Sequence, residues 1–293
     1  MKAMTKKDLL MKNPWLEVAE MYNPKDKECL FSEKNCYVCK KDKAVIDKYN
    51  ENLEKAANGK DEVTKEEILK DKIVTNIPAE PWWGNPLNAR LIILSLNPGY
   101  VPEVNEKLAK LLQSNDIVRE QLINYKAKTL RLEAESFLPT EDSSEPISCR
   151  DAVNMLGDWY WHKMLRHLKE EVIRRNANIE EDVFYKRIAL IEYHAYSSIK
   201  SQRTFPLRNI FLDSQVFTKK LIWHISQKED IRFLIMRAKD KWKKMLDDDN
   251  PGFYDSNVKK GKIVFKENKG MSQAITPNNL GKIFEDIATI LAK

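Results

Sequence analysis

The sequence predicts a three-layer α/β/α fold with a central four-stranded parallel sheet. Three observations predict it. Four short runs rich in Ile, Val, Leu and Phe read as strands buried on both faces, long amphipathic stretches separate them, and 42% of the 293 residues are apolar, ample for a packed core. Strands that alternate with helices form parallel sheets, and such sheets gather ligands at the carboxyl ends of their strands.

Residues 1–75 read as a mainly helical appendage and charged linker. Within them, 8–22 has helical character interrupted at Asn13 and Pro14, and 40–72 is highly charged, as an exposed helix is. Residues 76–293 form the α/β domain. It opens with IPAEPWWGNPLNAR, whose Pro, Gly and Trp mark a rigid irregular lead into the first strand, residues 91–96. An insertion at about 101–151 follows, helical from 106 to 135 and then polar and turn-rich, either a lid or decoration. The other strands are RIALIEYHA (187–195), IRFLIMR (231–237) and KIVFKE (262–267). Between them, 154–175 spaces Met155, Trp159, Met164, Leu165, Leu168 and Val172 as a helix face does, and 214–227 aligns Phe217, Leu221 and Ile225. A last helix is capped by Thr276, takes Pro277 at its first position and buries Leu280, Ile283, Phe284, Ile287 and Leu291.

Lysine and arginine number 50 against 44 acidic residues, a net charge of +6. Residues 197–270 hold 17 basic and 9 acidic residues, so the excess is local. This half either meets a polyanion or is a solvated lysine-rich surface. No apolar run approaches the roughly 20 residues of a membrane-spanning helix, and the first residues lack a signal-peptide core, so a cytoplasmic protein without membrane contact is expected. Cys29, Cys36, Cys39 and Cys149 are too few for a disulfide scaffold in a chain of this length. Cys29, Cys36 and Cys39 can supply three metal ligands, but a single C-x-x-C lacks a second pair. No metal, cofactor or protein partner is expected.

The run LIILSLNPGY (91–100) ends an apolar strand in Asn97, Pro98, Gly99 and Tyr100. A βα turn uses Pro and Gly for their φ angles; a ligand-facing loop uses Gly99 for close backbone approach and Tyr100 as a stacking wall. Glu192 ends a strand of four apolar residues, where a lone carboxylate is costly. It either pairs with Arg237, at the end of a neighbouring strand, or faces a ligand. His194, Tyr196 and Ser197 continue that strand end. Lys239 opens a helix whose lysines suit phosphate contacts, and Trp242 within it reads as core. Trp82, Trp83 and the cluster Trp159, Tyr160, Trp161 and His162 offer stacking or packing.

The stretch LSLNPGY resembles the first motif of the uracil-DNA glycosylase superfamily, whose mismatch-specific and single-strand-selective branches carry Asn-Pro-Gly after the first strand. IALIE (188–192) is similar to the second-strand motif that ends in the base-reading residue, and FLIMRAKDKW (233–242) to the third. VFKENKGMSQAIT (264–276) stands where the family places its intercalation loop. The likeness covers Pro78 to the C-terminus, in motif order.

The resemblance implies a glycosylase-like fold and a monofunctional N-glycosylase on double-stranded DNA with a flipped nucleotide. Asn97 would hold the attacking water and His194 would stabilise the departing base. Pro98, Gly99, Tyr100, Glu192, Tyr196, Ser197 and Arg237 would bind the nucleotide, while Lys239, Asn268, Lys269, Met271, Ser272 and Gln273 would contact DNA, Met271 as a wedge. Two departures bear on the base. Asn268, Ser272 and Gln273 replace the family's His-Pro-Ser in the last loop, and Glu192 replaces its base-reading Asn. A carboxylate accepts a hydrogen bond from an amino group such as N4 of cytosine and repels the carbonyl edge of uracil. A modified or damaged base is therefore expected, such as the hypermodified phage cytosines attacked by defence glycosylases of this superfamily. A noncatalytic nucleic-acid-binding protein, or an α/β enzyme on a small nucleotide, accounts for the same strand-end residues.

Overall fold

The computed structural model describes residues 5–26, 36–137, 158–200, 211–266 and 274–293. It is an α/β structure around one mixed, five-stranded sheet. The strands are β1 (Trp82–Gly84), β2 (Leu91–Ser95), β3 (Ile188–Glu192), β4 (Arg232–Ile235) and β5 (Ile263–Phe265), in the spatial order β1-β3-β2-β4-β5. The four anticipated strands are present and mutually parallel. The expectation of a purely parallel four-stranded sheet is corrected by β1, which pairs antiparallel with β3 through Trp82↔Ile191 and Trp83↔Leu190. Three residues inside a Pro- and Gly-rich segment carry no strand periodicity, so hydrogen bonding to β3 makes this strand. Gly84 ends it at φ +69°, a conformation that L side chains rarely adopt.

Strand side chains alternate between two cores, which explains why each strand reads as an unbroken apolar run. Ile92, Leu94, Ala189, Ile191, Phe233 and Ile235 face one core; Leu91, Ile93, Ile188, Leu190 and Leu234 face the other. The first is covered by α1 (Lys6–Met11), α2 (Leu16–Glu20), α3 (Lys40–Ala57), α5 (Pro102–Ser114), α6 (Asp116–Leu130), α9 (Asp213–Ile225) and α10 (Lys239–Asp247). The second is covered by α7 (Asp158–Arg175), α8 (Glu181–Lys186) and α13 (Lys282–Ala292). Three short helices, α4 (Glu62–Leu69), α11 (Phe253–Lys259) and α12 (Pro277–Leu280), complete the described elements.

The described residues among the first 75 do not stand apart. Trp15 is fully buried, its ring 6.4 Å from Trp82 and 5.6 Å from Tyr196, and Leu9, Val18, Tyr37 and Ile46 join the same core as the sheet. The insertion is built in as well. Leu108, Leu112, Leu122 and Ile123 are buried in that core, and the Asn13 amide donates to the Leu130 carbonyl at 2.7 Å. Residues 116–132 are thus part of the packing over β1 rather than a lid, while 138–157 lie outside the described residues. The last helix is divided where one was anticipated. Thr276 accepts from Asn279 N–H as a cap and Pro277 opens α12, but Gly281 at φ +52° separates it from α13. No helix among the described residues is long and apolar enough to cross a membrane.

Candidate functional site

Three parallel strands deliver polar residues to one edge. In register, Ser95 at the end of β2 lies beside Glu192 at the end of β3, so Asn97 follows two residues beyond Ser95 and His194 two beyond Glu192. The pairing continues past both strands: Tyr193 N–H donates to Ser95 O at 3.3 Å and His194 N–H to Leu96 O at 2.8 Å. The indole of Trp242, in α10 after β4, donates to the same Ser95 carbonyl at 2.9 Å, and its ring is fully buried, the core position anticipated.

Asn97 is half-buried, and its Nδ2 donates to Pro98 O at 3.1 Å. That bond holds the amide plane and leaves Oδ1 available as an acceptor. Gly99 bridges to Ser198, and Tyr100 N–H donates to Ser198 O at 3.3 Å, so the loops after β2 and β3 are fastened together. A side chain at Gly99 would meet nothing within 4 Å, and its φ lies outside the left-handed region. The folded chain itself makes no demand for glycine there. Tyr100 is half-buried, its hydroxyl pushed above the ordinary value first by burial and then by Glu106 and Glu103.

Glu192 is 6% exposed and forms no ion pair among the described residues. Burial raises its pKa to about 8, and Glu80 adds to the rise; the Ser95 side chain, by hydrogen bonding, and the charge of Arg237 oppose it. Its Oε2 has no hydrogen-bond partner among the described residues. Arg237 is exposed, so it acts on Glu192 through its field rather than as the salt-bridge partner anticipated as one alternative. At neutral pH the raised pKa favours the carboxylic acid over the charged carboxylate that was expected. A neutral carboxyl both donates and accepts.

His194 is fully buried. Its Nδ1 lies 3.4 Å from the Gln215 amide, its ring packs edge-on at 4.7 Å from Tyr193, and burial followed by the charge of Lys241 lowers its pKa to about 3. It is a neutral imidazole in the interior. Tyr196 and Ser197 are also turned into the fold. The Tyr196 hydroxyl donates to Asp42 Oδ2 at 2.7 Å and accepts from Cys39 N–H at 3.3 Å, while Ser197 O accepts from Val74 N–H at 2.9 Å. These residues tie the loop after β3 to α3. Sequence reasoning missed that tie because Asp42 sits in a run of charges that reads as solvated.

Lys241 is a second residue not singled out from the sequence: half-buried, its Nζ 5.6 Å from the Tyr193 ring centroid. Lys239, anticipated as a DNA contact, is exposed, its Nζ 3.4 Å from the Phe265 centroid. Asn268, Lys269, Met271, Ser272 and Gln273 lie outside the described residues, as does Cys29. The Cys39 thiol is buried and donates to Pro14 O at 3.3 Å, and burial pushes its pKa up. Among the described residues no group of three or more His, Cys, Asp or Glu is placed to hold a metal ion. Trp82 and Trp83 are buried, and Trp161 packs edge-on against Phe137 at 5.4 Å, so these rings serve packing.

The whole is an α/β protein with its polar strand ends gathered at one sheet edge. No family model, curated protein or solved structure matches the chain.

Proposed function

We propose that the protein is a monofunctional DNA glycosylase, on a glycosylase-like three-layer fold, that flips a modified or damaged base and hydrolyses its N-glycosidic bond. The observation that carries this reading is the register of β2 and β3, which pairs Ser95 with the buried Glu192 and so brings the oriented amide of Asn97, two residues beyond Ser95, to the same carboxyl end of the sheet. In this reading Oδ1 of Asn97 accepts a hydrogen bond from water and aims it at C1′. The C1′–N bond breaks with its electron pair leaving on the base, through an oxocarbenium-like state; the water oxygen bonds to C1′, and the proton it sheds ends on the base. An amide is a weak base, so positioning and leaving-group stabilisation supply most of the rate. A neutral Glu192 donates its O–H to N3 of a cytosine-like base and accepts from N4. Arg237, Lys239 and the local basic excess suit the DNA backbone.

Incubation with uracil-containing, mismatched and phage-modified DNA, followed by alkali, reads the abasic product as strand breaks. Asn97→Ala is expected to lower base release roughly 100-fold or more, the scale of losing one placed polar group in a preorganised site. Absence of breaks on every substrate, with the variant indistinguishable from the parent, refutes the enzymatic reading. One observation favours a noncatalytic nucleic-acid-binding protein instead: His194, the other candidate for catalysis, is fully enclosed. Salt-dependent DNA binding by the parent without base release would establish that second reading.

A further inference from the structure

The first turn of α10 holds two lysines in a setting that Lys219, Lys126 and Lys243 do not share. Lys219 is buried and paired with Asp248 at 2.6 Å and Asp249 at 2.7 Å; Lys126 is buried and paired with Glu80; Lys243 is paired with Asp255 at 2.7 Å. Lys241 is half-buried, yet its ammonium has no hydrogen bond and no carboxylate partner among the described residues. It rests on the face of Tyr193, and burial alone lowers its pKa. Lys239 rests on Phe265 of β5, also without a carboxylate among the described residues. The charge of Asp240, between them in sequence, acts on Lys243 and Tyr254.

A partly desolvated ammonium needs compensation, and an aromatic face supplies less than an anion does. Tyr193 directly follows Glu192, and its ring also touches His194 and Trp242, so Lys241 stands at the same strand end as the candidate site. We propose that Lys241 binds a phosphate group at the carboxyl end of β3, and that Lys239, resting on β5 across the sheet, meets a second phosphate of the same nucleic-acid strand. A compact ammonium without a planar fork suits a phosphate group. The inference rests on the nucleic-acid reading for the source of that phosphate, the backbone of an entering strand, since a free nucleotide carries the same group.

Fluorescence anisotropy with labelled single-stranded and duplex oligonucleotides, at several salt concentrations, gives the slope of log K against log salt. Lys241→Ala and Lys239→Ala are each expected to lower that slope by about 0.7 to 0.9, the value of one phosphate contact, whereas Lys243→Ala leaves it unchanged. Thermal melting checks that all three variants fold as the parent does. An unaltered slope and affinity in Lys241→Ala, with parent binding intact, overturns the phosphate site and leaves the nucleic-acid reading standing. If the parent binds a labelled mononucleotide but no oligonucleotide, and Lys241→Ala loses that binding, the site stands and the DNA reading falls. A parent that binds neither probe overturns both.

Discussion

Glu192 shows how one buried carboxyl links the site to stability. Its folded pKa of about 8 lies above the ordinary 4.5, so the native state binds the proton more tightly than the unfolded chain does. The stability this provides is complete below 4.5 and is lost as pH rises towards 8, at about 1.4 kcal/mol per pH unit across that window. Urea unfolding of the parent and of Glu192→Gln is expected to show the variant gaining on the parent between pH 5 and 8, since glutamine has no proton to lose. Parallel pH profiles would show that Glu192 is ionised in the fold. The same titration bears on the base. Above pH 8 the carboxylate has no proton to donate to N3 of a cytosine-like base and faces that nitrogen's lone pair, so release of a cytosine-like base is expected to fall as pH rises through 8, as read by base release across pH. The sequence made Glu192 conspicuous through its four apolar predecessors. Its protonation state was not legible there, because it depends first on burial and then on Ser95, Glu80 and Arg237, which lie far apart along the chain.

At the scale of elements, periodicity was legible and pairing was not. Residues 188–192 and 232–235 announce themselves as apolar runs, and Phe217, Leu221 and Ile225 mark the buried stripe of α9. β1 gives no such sign. Its end depends on Gly84, where an added Cβ would lie 2.8 Å from Ile188 O and the φ of +69° adds strain. Gly84→Ala is expected to destabilise the fold by about 1–3 kcal/mol, measured as a shift of the urea midpoint, because backbone rather than a flexible side chain must give way. A substitution without effect would mean that β1 can leave β3 at little cost. The division of the last helix at Gly281 has a similar cause: the apolar spacing runs through it, and one positive φ breaks the helix. In the loop after β3, Asp42 accepts from the Tyr196 hydroxyl and, at 3.3 Å, from Ser214 N–H, so three distant segments meet at one carboxylate.

For the whole molecule, the described residues among the first 75 are a structural part of the α/β body. Trp15 is enclosed between Trp82 and Tyr196, and Cys39 and Asp42 hold the loop that leads from Glu192. Trp15→Ala is expected to cost about 3–5 kcal/mol, as removal of a large core side chain does, and residues 76–293 expressed alone are expected to lose cooperative thermal melting. A shortened chain that melts like the parent would return those residues to the status of an appendage. By itself the sequence determined the α/β class, the four parallel strands, most helices and the strand ends that carry Asn97 and Glu192, because these follow from local apolar spacing. Only the tertiary structure decided the fifth strand, the inward turn of His194 and Tyr196, the raised pKa of Glu192 and the lack of a carboxylate partner for Lys241 among the described residues. Each of these depends on which distant side chains exclude water or supply a partner, and spacing along a chain does not record that.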